Sequence, residues 1–261
     1  MYQELLHQFL FGWFPYIAVT VLILGSILRF DGAQYSWRSE SSQFLRRKQM
    51  MLGSNLFHLG MLVLLVGHLF GLMTPIWAID AFGISHEFKQ IAAMTVGGIA
   101  GVAGLVGASL LLHRRLFEPR IRHTSSFGDI TVLTLLWVQL ILGVGTLWWS
   151  MKDIDGAEMV NLMNWAHGLS VFDPDAPGWL IGAPIIFKLH IVLGLIIIFI
   201  SPFTRLVHVW SAPIWFLFRP GYQIVRSRRP IGKPRNVPPG GVAMTGMHGG
   251  AKSRGISESG D

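Results

Sequence analysis

The stretch SNLFHLGMLVLLVGHLFGLMTP, residues Ser54–Pro75, is apolar almost throughout and carries two histidines, His58 and His68. It contains no Asp, Glu, Lys or Arg. An uncharged apolar run of 18 residues or more is typical of a helix that crosses a membrane. Because lipid offers no hydrogen bonds to the backbone, a spanning segment of this kind has to be helical. The sequence around these two histidines therefore predicts a membrane helix.

Four further apolar runs flank this one, so the chain contains five predicted spans. Hydrophobic residues make up 51% of the 261 residues and charged residues only 13%, and a chain of this size cannot bury five such runs in a soluble core. The predicted fold class is an all-α integral membrane protein, with residues 1–225 as its membrane domain. The first run has no Lys or Arg before it, so we expect a retained helix rather than a cleaved signal. The spans are about 13–28, 51–77, 90–112, 130–151 and 180–210.

The basic residues of the loops predict the orientation of the helices. Lys and Arg concentrate in alternate loops, and such loops face the cytoplasm. The N-terminus is therefore expected outside and the C-terminus inside. Residues 226–261 are basic and rich in Gly and Pro, which predicts a disordered cytoplasmic tail. The loop residues that carry this argument are Arg29, Arg38, Arg46, Arg47, Lys48, Arg114, Arg115, Arg120 and Arg122, followed by Arg219, Arg226, Arg228 and Arg229 near the C-terminus.

The sequence contains no cysteine. This excludes disulfides, iron–sulfur clusters held by thiolates, and covalently attached c-type haem. Any redox cofactor that the chain binds must use histidine, methionine or carboxylate ligands.

Four histidines fall within the predicted spans: His58, His68, His190 and His208. An ionisable side chain inside a membrane is costly and often functional, although a single one can equally well bond a neighbouring helix. Spans two and five cross in opposite directions. Membrane depth therefore pairs His58 with His208 (the inner pair) and His68 with His190 (the outer pair). Each pair is suited to hold one haem iron from both faces.

The spacing of the histidines is the weakest point of this pairing. On ideal helices His58 and His68 are about 15 Å apart, whereas His190 and His208 are about 27 Å apart. Tilt, a kink at Pro202, or the orientation of the rings must absorb the difference.

Glycines and arginines near the histidines have two explanations each. The glycines of spans two and three suit close helix packing, but they also leave room for a flat macrocycle. Arg115 and Arg205, together with Arg29 and Arg38, are candidate partners of haem propionates. Anchoring of the helices at the inner membrane surface explains the same arginines.

The histidine segments resemble the gamma subunit of membrane-bound respiratory nitrate reductase over roughly residues 10–225. The resemblance rests on the Ser54–Pro75 stretch, on FKLHIVLG (Phe187–Gly194) and on RLVHVWSAP (Arg205–Pro213). The segments YSWRSESSQ (Tyr35–Gln43) and RRLFEPRIR (Arg114–Arg122) are similar as well.

The resemblance implies a role for each matching position. His58 and His208 match ligands of the haem b nearer the cytoplasm, and His68 and His190 match those of the outer haem b. Lys89 matches a lysine implicated in quinol binding, and Gly67 matches a glycine near the same site. The family works with a cytoplasmic iron–sulfur beta subunit and a molybdenum-containing alpha subunit that reduces nitrate.

The predicted function is therefore that of a quinol-oxidising cytochrome b subunit in the inner membrane. It takes electrons from menaquinol or ubiquinol and passes them through two b haems to the partner subunits. Two alternatives stay open at this point. One is a di-haem anchor of another quinone-linked oxidoreductase, and the other is a haem-free transporter that uses its histidines for a metal ion or for protons. Binding of nucleic acid is not expected, because the basic residues follow the membrane topology.

Overall fold

The computed structural model describes residues 2–33 and 47–209. Five helices in these ranges are long and apolar enough to cross a membrane, and the same ranges contain no strand. The chain is thus an all-helical, multi-pass membrane protein, as the hydropathy predicted. The predicted tail, 226–261, and the candidate Arg38 lie outside the described residues. The membrane helices are α1 (Tyr2–Gly32), α2 (Arg47–Met73), α4 (His86–Phe117), α6 (Phe127–Ser150) and α8 (Ile185–Ile200).

Shorter helical segments join these five helices. They are α3 (Ile76–Ala81), α5 (Pro119–Thr124), α7 (Ala157–Ser170) and a 3₁₀ turn, Ala176–Leu180. Four of the five membrane helices begin earlier than predicted. The first begins at Tyr2 rather than near residue 13, with a π-helical turn at Phe9–Trp13. The third begins at His86, because the Ser85 hydroxyl caps it by accepting a hydrogen bond from Phe88 N at 3.2 Å.

The fifth span differs most from the sequence prediction. Its α-helix ends at Ile200, and two 3₁₀ turns follow, Ser201–Phe203 and Arg205–Val209. Proline lacks the N–H that would continue the helix, and Pro202 is the second residue of the first turn. The chain therefore breaks where a kink was expected, and His208 lies in the last 3₁₀ turn. The ideal-helix spacing of about 27 Å between His190 and His208 does not apply across this break.

Glycines bring α2 and α4 into close contact. A Cβ atom built on Gly60 would lie 2.6 Å from Ala100 O, and one built on Gly107 would lie 2.7 Å from Gly53 O. Helix packing therefore explains these glycines. Gly67, by contrast, has no described atom within 4 Å of such a Cβ, and the same holds for Gly71 and Gly97.

The remaining helices follow in sequence around the bundle. Helix α6 packs between α4 and α8, and α1 packs against α8. Along their described lengths, α2 and α8 share no extended interface, and only 6% of the most apolar part of α2 is buried. Since α2 is one of the two helices that carry the histidines, most of its apolar surface is left to contact lipid, a cofactor or another subunit.

Helix α7 covers one end of α1. The Trp165 indole donates to Phe11 O at 2.9 Å, and the Tyr16 hydroxyl donates to Leu169 O at 2.9 Å. Phe11 and Trp165 share a buried cluster with Leu180 from the 3₁₀ turn that follows. These contacts tie α7, Ala157–Ser170, to the start of the chain.

Candidate functional site

The structure brings the four histidines of the spans together in two pairs. The rings of His58 and His208 have centroids 6.4 Å apart, and those of His68 and His190 have centroids 6.1 Å apart. These are the same pairs that depth predicts. In each pair, one ring comes from α2 and the other from the last span. The break after Ile200 is what allows His208 to approach the ring of His58, ten residues before His68.

Three of the four imidazoles have a main-chain partner at Nδ1. The Nδ1–H of His58 donates to Ser54 O at 2.7 Å, and that of His68 donates to Leu64 O at 2.7 Å. His208 Nδ1 lies 2.6 Å from Arg205 O. A hydrogen bond of this kind fixes the tautomer and puts the basic lone pair on Nε2. Imidazoles that bind metals are usually oriented in this way.

His190 is held differently, by residues of α6. The Gln139 amide donates to His190 O at 3.0 Å and lies 3.4 Å from His190 Nε2. A Cβ atom on Gly143 would lie 3.0 Å from Cε1 of the same ring. Among the described residues, no hydrogen-bond partner reaches His190 Nδ1, which is buried. Helix α6 therefore determines the position of this ring through one amide and one glycine.

The spacing of the rings fits one metal ion per pair. A nitrogen bonded to a metal at about 2 Å on each side separates the two centroids by about 6 Å, close to both observed values. Within the described ranges, no third His, Cys, Asp or Glu joins either pair. Two donors are too few for a tetrahedral zinc site, which takes four. The pairs instead suit a metal whose other positions are filled by a ligand that the chain does not supply.

Lys89 lies at the outer-pair end of α2. Its ammonium donates to Gly71 O at 3.0 Å and approaches Met163 Sδ at 2.8 Å. Gly71 follows His68 by one turn of the same helix. Lys89 is half-buried and connects α2, α4 and α7. Gly67, the other residue that the resemblance assigns to this region, faces open space beside His68.

Arg115 and Arg205 converge on one carboxylate at the other end of the bundle. Asp129 lies 3.6 Å from Arg115 Nη1 and 3.3 Å from Arg205 Nη1. Arg115 also donates to the Ser125 hydroxyl at 3.1 Å. Arg205 precedes His208 by three residues. Guanidinium groups at this position suit an anionic group near the inner pair.

Sequence reasoning missed three residues of this arrangement: Gln139, Gly143 and Asp129. An amide inside an apolar span is a signal that could have pointed to Gln139, because such groups usually bond a neighbouring helix. Asp129, an acid beside a strongly basic loop, carries a weaker signal of the same kind. Gly143 has no signal of its own, since its role depends on the ring of His190.

The comparisons with known proteins give a consistent result. A family profile described as Nitrate reductase gamma subunit matches residues 7–228. Respiratory nitrate reductase 1 gamma chain of Escherichia coli (strain K12) is 47% identical over 226 residues, which is 87% of this chain and 100% of the relative. Respiratory nitrate reductase 2 gamma chain of the same strain is 46% identical over 87% of this chain and 99% of its own. Nitrate reductase gamma chain of Bacillus subtilis (strain 168) is 37% identical over 85% and 98% respectively.

Proposed function

The chain belongs to the nitrate reductase gamma subunit family, and we propose that it oxidises quinol and carries the electrons inward through two b haems. Family membership and the five apolar helices make it a membrane subunit of a respiratory nitrate reductase, an oxidoreductase complex. The proposal of two haems rests on the two pairs of imidazoles. Their ring centroids are 6.4 Å and 6.1 Å apart, and the pairs lie at two levels of α2.

The donor set supports haem as the cofactor. Each pair supplies two imidazoles, and a porphyrin supplies the four remaining nitrogens of a six-coordinate iron. His58 and His208 would hold the inner haem, and His68 and His190 the outer one. When bound, each haem supplies reversible one-electron transfer at its iron. The Nδ1 hydrogen bonds of His58, His68 and His208 would leave their Nε2 atoms available to hold the iron.

We place quinol oxidation at the outer-pair end of α2, beside Lys89. An ammonium has three donors, and two of those of Lys89 are used for Gly71 O and Met163 Sδ. The third suits a quinol oxygen, on which it stabilises developing negative charge. Oxidation of quinol to quinone releases two electrons and two protons. His86, hydrogen-bonded to Asp80 at 3.0 Å, is a nearby group suited to accept a proton.

The predicted orientation gives this reaction a direction. With the N-terminus outside and the C-terminus in the cytoplasm, the outer pair lies toward the exterior of the inner membrane. Protons leave outside while electrons move inward, which stores about 2.3 kcal/mol per charge for each 100 mV of potential. On the cytoplasmic side we propose an iron–sulfur beta subunit as electron acceptor and a molybdenum-containing alpha subunit as the place of nitrate reduction.

The cofactor proposal is tested by a reduced-minus-oxidised spectrum of the purified complex. We expect two b-type haems per gamma subunit, whereas a chain without a Soret band would refute the proposal. The proteins that co-purify with the chain test the proposed partners. Recovery of a complex with a different catalytic subunit would show that it serves another quinone-linked enzyme.

Lys89→Ala is expected to lower the rate of quinol oxidation about tenfold or more, because it removes a charged hydrogen-bond donor. Both haems should stay bound, since neither pair includes Lys89. The measurement is quinol-dependent haem reduction in membranes. Lys152→Ala is the matched control: this exposed lysine lies 5.0 Å from the ring centroids of Trp148 and Trp149 and contacts neither histidine pair. Equal rates in the two variants would remove Lys89 from the quinol site.

A further inference from the structure

The break between α8 and the last 3₁₀ turn needs hydrogen bonds from outside its own segment. The α-helix ends at Ile200, so the carbonyls of the segment that follows are not bonded as they would be in a continuous helix. Arg29 of α1 donates to two of them. Its Nη1 donates to Pro202 O at 2.7 Å and to Thr204 O at 2.7 Å. One nitrogen atom thus holds carbonyls on both sides of Phe203.

Helix α1 also fits closely against the break. A Cβ atom on Gly25, one turn before Arg29, would lie 2.9 Å from Cβ of Pro202. Pro202 is fully buried, although it lies near the end of a membrane span. The glycine lets α1 approach the proline, and this approach brings the guanidinium to the two carbonyls.

The bonded turn leads directly to His208. The Thr204 hydroxyl accepts from Leu206 N at 3.2 Å, which starts the turn Arg205–Val209. Within that turn, Arg205 O lies 2.6 Å from His208 Nδ1. Arg29 therefore binds the carbonyl of Thr204, the residue that caps the 3₁₀ turn Arg205–Val209, which carries His208. His190 precedes the break by ten residues and lies on α8 itself.

We propose that Arg29 is a positioning residue for the inner pair. Its guanidinium fixes the segment Pro202–Thr204 between α8 and the last 3₁₀ turn. It thereby sets how the ring of His208 faces that of His58. The outer pair does not depend on it, because α6 and α8 hold His190. From the sequence we expected Arg29 to be a candidate partner of a haem propionate. In the structure, these two hydrogen bonds go to main-chain carbonyls instead. This inference rests on the proposed haem function for its readout.

The test compares haem content and redox titrations of the purified complex for Arg29→Ala, Arg29→Lys and the wild type. With Arg29→Ala, haem should fall from two per chain toward one, with loss or a shifted potential confined to the inner haem. Nη1 makes both of these hydrogen bonds, and a lysine ammonium also carries several N–H donors, so Arg29→Lys should restore most of the inner signal. Selective loss with rescue by lysine is a result that a merely structural arginine would not give.

The control is Arg122→Ala, which removes an exposed arginine of α5 whose Nη1 donates to Leu116 O, near the end of α4, at 3.4 Å. It should keep both haems unchanged. If Arg29→Ala fails to assemble, Gly25→Ala provides a second variant that pushes α1 away from Pro202, with the same expected effect on the inner haem. Two unaltered haems in Arg29→Ala, or equal loss of both from a folded complex, would overturn the inference. A wild-type protein without haem would refute the proposed function instead.

Discussion

Replacing His58 by alanine is expected to remove one haem and leave the other in place. The His58 ring faces His208 at 6.4 Å between centroids, and the outer pair lies ten residues further along α2. A bis-imidazole iron that loses one axial ligand is held weakly, so the inner haem should be lost or become high-spin. Haem content should fall from two per chain to about one. Haem extraction and the difference spectrum measure this directly.

His68→Ala should give the reciprocal result, with loss of the outer haem alone. His113→Ala is the matched control, because His113 lies near the C-terminal end of α4 and its ring packs against Phe117, with centroids 4.9 Å apart, rather than against a histidine of either pair. It should retain both haems. If His58→Ala keeps two haems with unaltered spectra, the inner pair is not the ligand set and the cofactor proposal loses its basis.

Gly107→Ala is expected to destabilise the whole bundle. The added methyl group would overlap the backbone of Phe57 and lie 2.7 Å from Gly53 O, so α2 and α4 must separate. Overpacking usually costs about 1–3 kcal/mol, and a clash with backbone belongs at the upper end because no side chain can rotate away. Since Phe57 precedes His58, the inner pair should be disturbed as well. Thermal unfolding in detergent and haem content provide the two readouts.

Gly97→Ala on the same helix separates this effect from helix propensity. Its Cβ would meet no described atom within 4 Å, so both variants add the same methyl group but only one meets a neighbour. Alanine favours the helix at either position. A Gly107→Ala protein as stable as the Gly97→Ala protein would contradict the close α2–α4 packing.

Much of the fold follows from the sequence because two of its determinants are local. Each membrane helix is determined by its own apolar length, so five spans are readable from hydropathy. The pairing of histidines needs only the alternation of direction between helices. These two features bring His58 to His208 and His68 to His190 without knowledge of the packing.

Other parts of the site depend on contacts between distant segments. Proline occurs inside continuous membrane helices when neighbours satisfy the freed carbonyls, so Pro202 alone does not show whether the helix bends or ends. Here the Ser201 hydroxyl donates to Ile198 O, the carbonyl that Pro202 leaves free, and Arg29, more than 170 residues earlier, donates to Pro202 O in the turn that follows. Gln139 and Asp129 likewise acquire roles only through residues on other helices. The orientation, the quinol role of Lys89 and propionate binding by Arg115 and Arg205 stay predictions.

The interruption of α8 leaves the two ends of the last span supported by different helices. In an unbroken helix, any rotation or shift at His190 would carry His208 along with it, so both histidine pairs would change together. Because the α-helix ends at Ile200, His190 is held by α6, and the turn that carries His208 is held by α1. On the proposed haem ligation, a substitution at one end should shift one midpoint potential without disturbing the second, and substitutions at the two ends should combine additively.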